Sequence, residues 1–141
     1  MTISARAHYA CLAMVELAIR QNEGSVVTIR EITDRHDIPG PFLVQILRTL
    51  RSAGWVESTR GSQGGYRLGV DPETISVLEI AEMVGCQESG CRTDAAPTPA
   101  GELLQEIWAE AAEASRSVLA ATRLSDLVER SRHGQETMFY I

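Results

Sequence analysis

Apolar residues recur every three or four positions from Ala7 to Ala18, with Ala7, Cys11, Met14, Val15, Leu17 and Ala18 along one side of a helix. Ser4 suits the cap at its start, and Gly24 suits its end after Asn22-Glu23. Val26-Val27 reads as a short extended piece. Thr28 with Glu31 three places on has the signature of a capping box, in which each side chain satisfies the other residue's free backbone N–H. It opens a second helix that runs to about His36. Proline restricts the residue before it and Gly40 tolerates unusual backbone angles, so Ile38-Pro39-Gly40-Pro41 is a turn. A third helix from Pro41 to about Ala53 carries Leu43, Ile46, Leu47 and Leu50 inward, and Gly54 ends it.

The period then changes to two. Trp55-Val56-Glu57-Ser58-Thr59 and Tyr66-Arg67-Leu68 alternate as strands, joined by Arg60-Gly61-Ser62-Gln63-Gly64-Gly65. Asp71-Pro72 breaks the chain, and Thr74 to Val84 is predicted as a fourth helix carrying Val77, Leu78, Ile80, Ala81 and Val84. Gly85 to Gly101 has no periodicity and is long for a plain connection, which marks it as functional or partly disordered. From Gly101 to about Ala121 the positions Leu104, Trp108, Ala111, Ser115 and Val118 keep a spacing near 3.5, the period of helix-to-helix seams. A helix packed on its own domain would show the same stripe; with a hairpin already occupying the other side of so small a chain, a dimer is the expected partner. Leu124 to Arg130 forms a last short helix, and the tail to Ile141 is expected to fray.

The predicted fold class is therefore mainly α with a small β-wing: a winged helix-turn-helix plus a long dimerisation helix. The predicted organisation is a DNA-binding domain over 1–84, a cysteine-bearing sensor loop over 85–100, and the dimerisation helix with its tail over 101–141. In a helix-turn-helix the second helix enters the major groove with its N-terminal residues at the base edges. That places Pro41, Phe42 and Gln45 at the groove, with Arg48 and Arg51 farther along. The Gln45 amide matches the acceptor and donor that adenine presents, and Phe42 either meets a thymine methyl or packs beneath the helix. Thr28 and Arg30, at the start of the preceding helix, are placed for backbone phosphate. Arg60 lies at the hairpin tip among glycines, where an arginine can enter a narrow minor groove.

Composition changes this picture little, but charge distribution sharpens it. The chain is 44% hydrophobic and 23% charged, an ordinary globular balance, and its net charge of −6 taken alone argues against nucleic acid. That charge is unevenly spread: residues 1–70 carry eight Arg against six acids, residues 71–141 five Arg against thirteen acids. One half is thus suited to phosphate and the other to something else. No apolar run approaches the ~20 residues that span a bilayer, and the first residues lack a signal-peptide layout, so a cytoplasmic protein without a membrane partner is expected. No nucleophile–base pair, phosphate loop or carboxylate dyad is present, and the chain is not expected to be an enzyme.

The segments His8-Tyr9-Ala10, Glu16-Leu17-Ala18, Thr28-Ile29-Arg30-Glu31-Ile32, Phe42-Leu43-Val44-Gln45-Ile46-Leu47, Leu50-Arg51-Ser52-Ala53-Gly54-Trp55-Val56 and Arg60-Gly61 with Gly64-Gly65-Tyr66-Arg67-Leu68 resemble those of the Rrf-two superfamily of bacterial winged-helix transcription regulators. The likeness covers residues 1–85 closely and the long helix loosely. It implies a homodimer, joined through the long helix, bound to a pseudo-palindromic operator. Members that sense redox state or nitric oxide hold an iron–sulfur cluster on three cysteines in the loop before that helix. Here the loop holds Cys86 and Cys91, and the third position falls near Glu102. An ordinary three-thiolate site is excluded.

The resemblance adds His8, in the first helix where some members supply a ligand across the dimer, and His36, where a mixed-ligand member has a histidine. Cys86, Cys91, His8 and His36 would then hold a two-iron cluster with mixed Cys/His ligands, or zinc. The competing readings are an exposed His8, a His36 placed against the helix dipole, and a thiol pair that switches reversibly or does nothing. Cys11 is expected in the core. The function expected is a DNA-binding repressor set by the state of this loop; a cluster-free regulator governed by a partner protein or small ligand, and a protein-interaction winged helix that reads no DNA, stand as alternatives.

Overall fold

A computed structural model of the chain describes residues 3–85 and 96–139, with side chains through residue 134. Eight elements follow in order: α1 (Ala5–Gln21), α2 (Ile29–His36), α3 (Gly40–Ser52), β1 (Val56–Thr59), β2 (Gly65–Leu68), α4 (Val77–Met83), α5 (Pro99–Ala121) and α6 (Leu124–Phe139). The mainly helical architecture with a two-stranded antiparallel wing is the one the sequence predicts. Cys86 and Cys91 lie outside the described residues.

The caps explain where the first helices begin. The Ser4 hydroxyl accepts the Ala7 N–H at 3.1 Å and starts α1. Both halves of the Thr28–Glu31 box form, Glu31 N–H to Thr28 Oγ1 at 3.2 Å and Thr28 N–H to Glu31 Oε2 at 2.9 Å. The turn between α2 and α3 is built differently from the expectation. Asp37, with φ 53° and ψ 36°, takes the left-handed conformation that a short polar side chain tolerates. Gly40 is instead the first residue of α3, and Pro41 sits in its first turn, where a missing N–H needs no partner.

The wing pairs Val56 with Leu68, Glu57 with Arg67, Ser58 with Tyr66 and Thr59 with Gly65. The expected extended piece at Val26-Val27 adds a rung: Val27 N–H donates to the Tyr66 carbonyl at 2.8 Å and Tyr66 N–H to the Val27 carbonyl at 2.7 Å. Glycine is required where these strands meet, because a Cβ on Gly65 would lie 2.8 Å from the Val27 carbonyl oxygen. The core beneath the wing joins Met14 and Leu17 of α1, Ile32 of α2, Leu43, Ile46, Leu47 and Leu50 of α3, and Val56, Ile80 and Leu124.

Three boundaries differ from the sequence reading. Helix α4 begins at Val77 rather than Thr74, because Ser76 and Glu79 form a second capping box. Thr74 closes a turn, its hydroxyl donating to the Asp71 carbonyl at 2.7 Å. Helix α5 begins at Pro99, where the Thr98 hydroxyl accepts the Gly101 N–H at 3.1 Å. Helix α6 continues past Arg130 to Phe139, and Leu124 and Val128 seal it into the core that α1 organises.

Helix α5 runs antiparallel to α4. Val77 N–H donates to the Thr122 carbonyl at 2.9 Å, Ser76 pairs with Arg123, and Arg116 Nη1 meets Glu82 Oε1 at 2.8 Å. Toward its N-terminus the helix leaves the body: residues 102–111 are all exposed, and α5 buries no residue. From Arg116 back to Pro99 the free arm is about 25 Å long at 1.5 Å per residue.

Candidate nucleic-acid interface

Helix α3 turns Leu43, Ile46, Leu47 and Leu50 into the core, so its other side is left to solvent with Pro41, Phe42, Val44, Gln45, Arg48 and Arg51 exposed. Four of the residues expected at DNA converge in a second place. Thr28 and Arg30 at the start of α2, Arg51 at the end of α3 and Arg60 at the wing tip frame one cleft of about 440 Å³, with Ser58 and Tyr66 in its wall. Arg51 Nη1 donates to Ser58 Oγ at 3.2 Å, which ties the end of α3 to the wing. Arg30 is only loosely held, its Nε 3.8 Å from Asp34 Oδ2 with both side chains exposed. The Thr28 oxygen accepts the Glu31 N–H, and its hydroxyl hydrogen remains free in direction to donate outward. Three guanidinium groups at the mouth of a polar cleft are a set suited to phosphate oxygens, beside a helix face suited to base edges.

Of the residues expected at a metal, His8 and His36 are described, and they are not brought together within one chain. His8 is exposed on α1, at the rim of an apolar hollow of about 330 Å³ with Cys11, Leu12, Val15 and Leu127. Cys11 is half-buried and packed against the core, as expected. His36 places Nε2 3.3 Å from Glu16 Oε2, while Arg35 Nη1 lies 3.0 Å from Glu16 Oε1. His8 and Glu16 are eight residues apart on α1, about 12 Å of axial rise, so within one chain the two histidines serve different places. Among the described residues no group of three His, Cys, Asp or Glu is placed to hold a metal ion.

Two residues escaped the sequence reading. Glu16 is only 3% exposed, and it receives Arg35 and His36 from the last turn of α2. With Arg20 Nη2 3.8 Å from Glu31 Oε1, α1 thus holds α2 at both ends. The signal was an acid between Val15 and Leu17 in an apolar stretch. Val44 is the other: it lies outside the inward stripe of α3 and is exposed although apolar. Helix α5 extends the expected seam, adding exposed Leu103 and Ile107 to Leu104, Trp108 and Val118.

This geometry has counterparts among known proteins. The Rrf2 (Rrf-two) family, described as an iron-dependent transcriptional regulator, matches residues 3–130. The HTH-type transcriptional regulator IscR of Cereibacter sphaeroides is 35% identical over 136 residues, 92% of this chain and 88% of that protein. The HTH-type transcriptional regulator CymR of Bacillus subtilis is 33% identical over the whole length of both. Among solved structures, the oxidised form of Staphylococcus aureus CymR superposes with a TM-score of 0.77 at 29% identity, covering 92% of this chain and 97% of that one. Among the described residues no helix is long and apolar enough to cross a membrane. The wing, the helix-turn-helix and these relatives agree: the chain belongs to the Rrf2 family, and it is a DNA-binding transcription regulator rather than an enzyme.

Proposed function

We propose that the protein works as a homodimeric repressor on a pseudo-palindromic operator in the bacterial cytoplasm, with its affinity set by the state of the Cys86–Cys91 segment. The observation that carries the dimer is the free arm of α5. Its side chains Leu103, Leu104, Ile107 and Trp108 are 47–60% exposed on a helix that buries nothing in its own chain. A second copy of the arm gives that stripe a partner, and a two-fold axis through it presents two reading heads to two half-sites. Thr28, Arg30, Arg51 and Arg60 supply phosphate contacts; Pro41, Phe42, Gln45 and Arg48 face the bases.

The family description names iron, but the donor set here does not fit a three-thiolate cluster. Two thiols belong to the segment before α5, the third belongs to Cys11 against the core, and His36 is engaged by Glu16. The sensing reading therefore rests on the Cys86–Cys91 pair itself, and the oxidised form known for a CymR relative supports it. Iron, acid-labile sulfide and zinc per chain after anaerobic purification test this directly. Sub-stoichiometric metal is expected. Iron and sulfide in equal amounts, lost in Cys86→Ala, would replace the thiol reading with a mixed-ligand cluster.

The DNA reading is tested by selecting duplexes from a randomised pool and titrating salt against the winner. A palindromic site is expected, with affinity falling steeply as salt rises. Arg60→Ala should weaken every duplex alike and flatten the salt slope by about one unit per half-site, whereas Gln45→Ala should relax preference at one position of each half-site. A monomer that binds all duplexes equally would overturn the proposal.

A further inference from the structure

We propose that Val44 reads the methyl group of a thymine in each half-site. This rests on α3 entering the major groove, and it adds a base the sequence reading did not assign. Helix α3 exposes two rows of side chains. Phe42, Gln45 and Thr49 follow one another at spacings of three and four; Val44, Arg48 and Arg51 form the second row at spacings of four and three. The second row faces the wing, since Val44, Leu47, Arg48, Arg51 and Tyr66 line one hollow of about 110 Å³.

Val44 does not serve the core. The inward stripe is complete with Leu43, Ile46, Leu47 and Leu50, each fully buried, while Val44 remains 38% exposed. Its neighbours on the exposed side can form hydrogen bonds with base edges: Gln45 with adenine, Arg48 with guanine. An isopropyl group can do neither, and placed against a polar edge it would strip water without replacing it. The apolar feature of the major groove is the 5-methyl of thymine. A valine in a helix is also held near a single χ1, so its methyls are presented without an ordering cost on binding. Phe42 offers similar chemistry but belongs to the other row, two residues nearer the start of the helix.

Replacing each thymine of the selected operator by deoxyuridine, one position at a time, removes a methyl and nothing else. One symmetric position is expected to weaken wild-type binding about fourfold per half-site, the value of one buried methyl group. Val44→Ala should be indifferent to that position and bind the uracil operator about as tightly as wild type does. Helicity and dimer mass check that the variant is folded, which its exposure favours. Equal thymine-to-uracil effects in both proteins, or an effect abolished by Phe42→Ala instead, would overturn the assignment to Val44 while leaving the operator reading standing. If no selective operator emerges, both fall together.

Discussion

Arg35 looks like a surface residue whose loss should hardly matter, and the structure predicts otherwise. Its side chain is 54% exposed, and an exposed ion pair ordinarily contributes about 0.2–1 kcal/mol. Its partner, however, is the 3% exposed Glu16 carboxylate, 3.0 Å from Arg35 Nη1 and 3.3 Å from His36 Nε2. Arg35→Ala leaves that buried acid with the imidazole as its remaining described partner. Stranding a buried polar group costs about 1–3 kcal/mol, and a wholly buried pair more, so a loss of about 2 kcal/mol is expected once the arginine's exposure is discounted. For a chain of this length that lowers Tm by about 6–8 °C. Adding Glu16→Leu removes the stranded charge and refills the space, so the double variant should regain more than half of the loss. Urea unfolding followed by circular dichroism, at one fixed protein concentration because a dimer's stability depends on it, reads Arg35→Ala, Glu16→Leu and the double variant. An Arg35→Ala cost below about 0.5 kcal/mol, with effects that simply add, would refute the buried-acid account.

Ile107→Glu places a charge in the exposed stripe of α5 and should raise the dimer dissociation constant by about 100-fold or more without loss of helicity; a dimer mass unchanged in light scattering would remove the arm as the contact. Gly65→Ala pushes a Cβ against the Val27 carbonyl and should cost about 1–3 kcal/mol in urea unfolding, with operator affinity falling as the wing shifts; a neutral result would show that the Val27 rung can give way. Ser76→Ala should cost about 1 kcal/mol through the lost cap, while Thr74→Ala costs under about 0.5 kcal/mol. The reverse order would restore Thr74 as the start of α4.

The parts of the fold that were legible in the sequence are those set by local contacts. The Thr28–Glu31 box, the inward stripe of α3 and the glycine-bearing wing all depend on residues within a few places of one another. Thr74 and Ser76 are both good caps; Ser76 has Glu79 three places on to complete a box, and its pairing with Arg123 and the bond from Val77 to Thr122, far along the chain, reinforce that start. Glu16 was illegible because its partners are 19 and 20 positions away. The turn before α3 could be located but not detailed, since Asp37 and Gly40 are both able to adopt unusual angles. Thr28, Arg30, Arg51 and Arg60, each expected at DNA on separate grounds, line one cleft because the helix-turn-helix order fixes their side of the fold. Val44 stood outside the inward stripe, but how far an apolar residue beside that stripe is exposed is not written in the sequence.

The one-sided attachment of α5 has a mechanical consequence. The helix is fastened near its C-terminal end by the Arg116–Glu82 pair and the Thr122–Val77 bond, and its other end stands about 25 Å away. In the sequence, Cys86 and Cys91 fall between Gly85, which lies beside that fastening, and Thr98, at the far end of the helix. A tilt of about 5° at the fastened end carries the far end about 2 Å over such an arm, several times the tolerance of a hydrogen bond to a base edge. In a dimer joined through two such arms, each tilt is counted twice in the separation of the reading heads. Half-sites a fixed helical turn apart would register such a tilt as a change of register on DNA.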